Sequence, residues 1–149
     1  MSSKIRLPHN GLALVSDGRK ALVLRNEGDE LYPNLKVDKV LEAPENPPAA
    51  QQGTDKPGRA FMLDQRGAVE QTDWHALAEQ RFADEVAEAF EAICFESGVK
   101  AAIIAAPPRT LAELRSRFSE QMRKIILAEV NKDLTKHPVY EIEQHLIAT

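Results

Sequence analysis

The residues whose types and spacing could do chemistry fall in two stretches. The first is Gln51-Gln52-Gly53-Thr54-Asp55-Lys56-Pro57-Gly58-Arg59, which sets amides, an acid and cations among glycines and prolines. It stops short of a phosphate loop: Gly53 and Gly58 have that motif's spacing, but Arg59 stands for its lysine and Ala60 for its magnesium-binding hydroxyl. A phosphate loop also needs a strand before it and a helix after it, so that backbone N–H groups converge on the anion, and neither flank fits. Two readings stay open. Gln51, Gln52, Gly53, Thr54, Asp55, Gly58 and Arg59 form a partner-binding loop, or the stretch is a turn-rich excursion whose Asp55, Arg59 and Arg66 make only surface hydrogen bonds. The second stretch, Pro107-Pro108-Arg109-Thr110, follows an apolar run and opens a helical pattern. Ligands of open α/β sheets favour the carboxyl ends of strands, so Arg109 and Thr110 with the helix N-terminus are a candidate anion site. The plainer alternative is that Thr110 only caps the helix and Arg109 pairs with a nearby carboxylate.

Other chemistries find less support. Two-metal nuclease chemistry needs carboxylates converging from neighbouring strands; Asp17 ends one strand, but Ala101 to Ala106 offers no acid. His75 and Glu79 lie one helical turn apart without further ligands at metal-binding spacing, and His9, His137 and His145 are scattered. Neither a metal nor another cofactor is expected. Cys94 falls near the apolar face of a helix, where a thiol is usually packing, and no serine sits in a Gly-x-Ser-x-Gly elbow. No catalytic residue is assigned.

The elements that must position these residues follow from periodicity. Gly11 to Asp17 and Lys20 to Arg25 are apolar runs separated by Asp17-Gly18, a hairpin signal, and Leu35 to Glu42 reads as a third strand. From Ala43 to Thr72 the pattern dissolves, and a structureless connection this long is usually functional or disordered. Asp73 to Phe95 reads as a helix with an acidic outer face, followed by Gly98. Ala101 to Ala106 has the unalternating look of a strand buried on both faces. Thr110 with Glu113 spells a capping box, so a helix is expected to start at Thr110. Periodicity leaves Ile125 to Val130 as either an extension of that helix or another buried strand. Pro138 suits the first turn of a last helix carrying Val139, Ile142 and Leu146.

Composition bounds the rest. One domain over residues 1–149 is expected from a length of 149, with 43% hydrophobic and 28% charged residues and a single cysteine that can form no internal disulfide. A net charge of -4 excludes a surface coated for sequence-independent nucleic-acid binding. Arg115, Arg117, Arg123 and Lys124 form a local basic cluster, interrupted by Glu113 and Glu120. No apolar stretch has a bilayer-spanning length and no export signal opens the chain, so a cytoplasmic protein without membrane insertion is expected.

Several segments together resemble the bacterial host-attachment protein family: Asp17-Gly18-Arg19-Lys20-Ala21, Asn46-Pro47-Pro48, Gln52-Gly53-Thr54-Asp55-Lys56-Pro57-Gly58-Arg59, Thr72-Asp73-Trp74-His75, Ala106-Pro107-Pro108-Arg109-Thr110-Leu111 and Ala128-Glu129-Val130-Asn131-Lys132-Asp133-Leu134-Thr135. That family is similar, more remotely, to the middle domain of archaeal and eukaryotic class-1 peptide-release factors. The resemblance implies an α/β, ribonuclease-H-like mixed sheet of about five strands with helices, and favours a strand over Lys124 to Val130. It implies a ribosome, a structured RNA or another protein as partner of the loop, and an indirect effect on attachment. The release factors carry a Gly-Gly-Gln tip in the corresponding loop, whereas Gln51-Gln52-Gly53 has another order and no glycine pair. A non-enzymatic binding domain is therefore the first expectation, and a release-factor-like hydrolase of an ester or phosphate-containing substrate the alternative.

Overall fold

The computed structural model describes residues 6–43 and 67–147, with residues 67–75 described by backbone alone. Its elements are β1 (Leu12–Ser16), β2 (Lys20–Asn26), β3 (Leu35–Glu42), α1 (Gly67–Glu96), β4 (Ala102–Ala105), α2 (Pro108–Arg117), α3 (Glu120–Ile125), β5 (Ile126–Val130) and α4 (Val139–Leu146). The five strands form one sheet in the order β3-β2-β1-β4-β5. β1, β2 and β3 pair antiparallel, while β4 runs parallel to both β1 and β5.

The apolar runs are explained by burial on two faces. On one face Leu12, Leu14, Ala21, Val23, Ala102 and Ile104 meet Phe82, Val86, Phe90 and Cys94 of α1, with Leu111 and Leu114 of α2 and Met122 of α3. On the other, Ala13, Val15, Leu22, Leu24, Ile103 and Ala105 meet Leu7 together with Ile142 and Leu146 of α4. Strands β1 and β4 lie in the middle of the sheet and are apolar at every position because neither face is wet. Each fully buried Leu or Ile contributes about 1.5–3 kcal/mol relative to an exposed one. The rings of Phe90 and Phe118 tilt at 52° with centroids 6.4 Å apart, which seats the end of α2 on α1.

The sheet's two edges differ. β3 is exposed along most of its length and carries Lys36, Asp38, Lys39 and Glu42, charges that discourage a further strand from pairing there. Arg25 pairs with Asp38 at 3.2 Å across β2 and β3. At the amino end of β1, the buried Asn26 amide donates to the carbonyls of Leu7 and Asp29 and its Oδ1 accepts from the N–H groups of Gly28 and Asn34. One side chain thus satisfies backbone groups of two segments that make few ladder bonds of their own.

α1 starts six residues earlier than periodicity places it, at Gly67, so the end of the expected 43–72 loop is helical. It ends where expected: Gly98 takes φ 65°, with Val99 N–H donating to Cys94 O and Gly98 N–H to Phe95 O, the paired bonds of a left-handed C-cap. The ambiguity over Ile125 to Val130 resolves as a strand from Ile126, alternately half-buried and exposed rather than buried on both faces, preceded by a separate short helix instead of an extension of α2. Phe118 adopts an extended backbone, Ser119 caps α3 by accepting from Met122 N–H, and β5 follows directly.

Candidate functional site

At the carboxyl end of β1, the Asp17 N–H donates to Lys20 O at 2.9 Å and closes the hairpin. Asp17 Oδ1 accepts from the N–H groups of Arg19 and Lys20, both at 2.7 Å, so the carboxylate holds the turn from inside. Its other oxygen accepts from the Thr135 hydroxyl at 3.0 Å, and the same hydroxyl lies 2.7 Å from Asp133 Oδ1. A hydroxyl carries one proton, so Thr135 serves one carboxylate at a time. The β1–β2 turn is thereby tied to the segment that follows β5. This use of Asp17 is structural, in keeping with the absence of a partner acid on β4.

Gly18 faces the same end of α1. A Cβ on it would stand 2.9 Å from Cδ of Glu79. The glycine gives Glu79 room there and supplies no left-handed backbone, since its φ is outside the region that the Asp-Gly pair suggests. Glu79 is therefore level with the hairpin, and α1 extends backward from it to Gly67. At 1.5 Å per residue that is about 18 Å of helix beyond the hairpin. The other flank of the long connection is anchored nearby: Ala43 N–H donates to Arg19 O at 2.8 Å, and Glu42 pairs with Lys20. Residues 51–59, the expected binding loop, lie outside the described residues, but β3 delivers the connection at the carboxyl end of β1 and α1 receives it on that side.

The third component is the start of α2 just past β4. Thr110 is not the cap. Pro107 occupies that position without a side-chain bond, Pro108 is the first helical residue, and Thr110 is the third. Proline displaces the expected start because its fixed φ suits the first turn and its missing N–H leaves nothing unsatisfied there. Arg109 is 66% exposed and its Nε lies 3.8 Å from Glu113 Oε2. Burial pushes the Glu113 carboxyl above its ordinary range, Arg109 opposes this, and the charges of Glu79 and Asp84 add to it. The hairpin, the α1 flank and the α2 start thus share one end of the sheet, and only the last of these was assigned a ligand from the sequence.

Two of the four cations of the basic cluster, Arg115 and Arg117, are paired with carboxylates. Arg115 binds both carboxylate oxygens of Glu129, through Nε at 3.0 and 3.2 Å, Arg117 pairs with Asp84 at 3.1 Å, and Arg123 donates to Arg115 O. The Cys94 thiol is fully buried and pushed up to about 12, chiefly by that burial and secondarily by Glu91, against a smaller opposing effect of Arg25. Among the described residues no three His, Cys, Asp or Glu side chains converge as metal ligands. The His75 side chain lies outside the description, so the His75 and Glu79 pair is not decided by it.

Asp133-Leu134-Thr135 carries a local signal that sequence reading passed over: an acid two residues before a hydroxyl is a common turn, and here Asp133 Oδ1 accepts from Thr135 N–H at 3.1 Å. The link to Asp17, 118 positions away, has no sequence signature.

Residues 12–146 match the family described as "Protein required for attachment to host cells", and the chain belongs to that family. A search of curated proteins found no match. None of the described helices is long and apolar enough to cross a membrane.

Proposed function

We propose that this host-attachment family member is a non-enzymatic binding domain that presents residues 51–59 to a ribosome or a structured RNA in the cytoplasm, and that its effect on attachment is indirect. The observation that carries the reading is the placement of the connection between β3 and α1. One flank is fixed to the hairpin through Ala43, and the other is a helix continuing past Glu79. Both described flanks thus stand at the carboxyl end of β1, and binding residues are commonly carried by connections on such a rigid scaffold.

The strand order 3-2-1-4-5, antiparallel at β1 to β3 and parallel at β4 and β5, supports a ribonuclease-H-like fold and the likeness to the release-factor middle domain. Charge favours the same direction of approach. Asp84, Glu85, Glu88 and Glu91 occupy the outer part of α1, and this acidic flank repels phosphate from the side of the domain. An RNA partner therefore meets the loop end. The residues assigned to contact it are Gln51, Gln52, Gly53, Thr54, Asp55, Gly58 and Arg59.

Co-sedimentation with ribosomes at low and high salt tests the reading. The wild-type protein is expected in the ribosomal pellet at low salt, and the Gln52→Ala/Asp55→Ala/Arg59→Ala variant in the supernatant with an unchanged melting temperature. Pelleting of both proteins alike removes the loop assignment, and pelleting of neither removes the ribosome and turns the search to protein partners.

A further inference from the structure

The two edge strands of the sheet are finished differently. β3 exposes Lys36, Asp38, Lys39 and Glu42, whereas β5 reads Ile126-Leu127-Ala128-Glu129-Val130, with Glu129 as its single charged residue. An open edge is a template for another strand, because its N–H and C=O groups are unpaired, and proteins blunt it with charges, prolines or bulges. The charge of Glu129 does not serve this purpose. Arg115 of α2 holds the Glu129 carboxylate through Nε at 3.0 and 3.2 Å, which leaves that side chain 27% exposed.

The backbone of β5 is open where it matters. Ala106 N–H donates to Val130 O at 3.0 Å, so Val130 turns its peptide groups toward β4. Alternation along the strand turns those of Glu129 the other way, to the side where the sheet ends. Exposure agrees: Glu129 is exposed as a residue although its side chain is mostly covered, so the open part is its backbone. Leu127 is the extra residue of a bulge, since the register with β4 passes from Ile126 to Ala128, and it is 47% exposed. The bulge bends the strand ahead of Glu129 and confines an added strand to the stretch from Leu127 onward.

Beside this edge, Arg115, Arg123, Ile126, Ala128 and Glu129 line an open groove of about 510 Å³. Its charge is unbalanced. Arg115 and Glu129 offset each other, but Arg123 donates to an uncharged acceptor, Arg115 O, at 2.9 Å. Among the described residues no carboxylate pairs with Arg123 or with its exposed neighbour Lys124. We infer that β5 is a docking edge for an extended acidic segment of another protein, which adds to the sheet as a sixth strand. Its backbone pairs with Glu129, its apolar side chains meet Leu127, Ile126 and Ala128, and its carboxylates face Arg123 and Lys124. Main-chain pairing at an exposed edge supplies affinity in this mode of recognition, and the side chains on either face supply specificity. The open backbone identifies the ligand as a strand, and the charge identifies it as acidic. This goes beyond the binding function proposed for residues 51–59 and does not rest on it.

The test is a titration of the isotopically labelled full chain, followed through its backbone amide resonances. The probes are a synthetic hexapeptide alternating valine and glutamate, its fully N-methylated form, a hexapeptide alternating valine and lysine, and a short single-stranded RNA. The glutamate peptide is expected to move the Leu127 and Glu129 amides, and the other three to leave them in place. Arg123→Gln/Lys124→Gln should fold as the wild type does, because both side chains are exposed, and should weaken the glutamate peptide about fivefold. Glu129→Pro removes the outward N–H at an edge, where proline is tolerated, and should abolish binding read at the Leu127 amide, even though it frees the charge of Arg115. Amides that stay still with the glutamate peptide overturn the inference, as does equal movement with the N-methylated or the lysine form. Movement with the RNA instead of the peptide assigns the edge to nucleic acid and overturns it too. Ribosome capture through residues 51–59 is read by sedimentation, so either proposal can fail while the other stands.

Discussion

Gly18 and Glu79 meet where the first hairpin touches the long helix, with room between them for no more than a hydrogen on the glycine: an added Cβ would lie 2.9 Å from the carboxyl carbon of Glu79 and 3.0 Å from its Oε2. Because the obstructing atoms are the far end of a flexible side chain and the backbone of Gly18 is not left-handed, Gly18→Ala is expected to cost less than about 1 kcal/mol. Gly18→Val should cost more, since a branched side chain cannot be cleared by a turn of Glu79 alone. Urea denaturation of both variants checks the order.

The Asp17 and Thr135 pair makes a second expectation. Asp17→Ala removes the acceptor for two backbone N–H groups as well as the Thr135 contact, and should cost about 2–3 kcal/mol. Thr135→Val removes only the hydroxyl and should cost about 1 kcal/mol. A double-mutant cycle should show positive coupling between the two sites, whereas additive losses would mean that the turn is held without Thr135.

Glu113 gives the stability a pH dependence of definite sign. Its carboxyl is raised in the fold, so the folded state holds its proton to higher pH than the unfolded chain does. Stability therefore falls as pH rises from the ordinary glutamate value through the raised one, and is level beyond. Glu113→Gln should remove that slope. At neutral pH it should leave the stability equal or higher by less than about 1 kcal/mol, because it also gives up the long Arg109 contact. A scan of melting temperature from pH 4 to pH 7, on the order of the carboxylate range, distinguishes the two proteins.

Cys94 should be silent in the native state. With no exposed surface and a thiol pushed up to about 12, it presents neither access nor thiolate at neutral pH. Its reaction with a disulfide reagent should proceed only through global unfolding, so the rate should rise with urea as steeply as unfolding itself does. A rate insensitive to low urea would show that the α1 packing opens locally.

Much of this architecture could be read from the chain because it rests on local pattern. The apolar runs of β1, β2 and β4, the Gly98 stop of α1 and the Pro138 start of α4 are each signalled within a few residues. The failures have physical causes. At α2 the capping-box letters Thr110 and Glu113 compete with Pro107-Pro108, and a proline preset for the first turn takes the start. Between Phe118 and β5, a six-residue helix is too short for periodicity to reveal, although Ser119-Glu120 is a fair N-terminal signal. At the site, Arg109 was visible as a cation after a strand, whereas the Thr135 bond to Asp17 and the fit of Glu79 over Gly18 arise only when distant segments pack.

The central claim is that residues 51–59 touch the partner, and site-specific photocrosslinking tests it most directly. A photoreactive amino acid would replace Gln52 in one protein and Glu88, on the exposed acidic flank of α1, in another. Crosslinks to ribosomal RNA or a ribosomal protein from position 52, with none from position 88, are the expected result. Crosslinks from position 88 with none from position 52 would contradict the account, because the partner would then be approaching the face that charge and geometry assign to solvent.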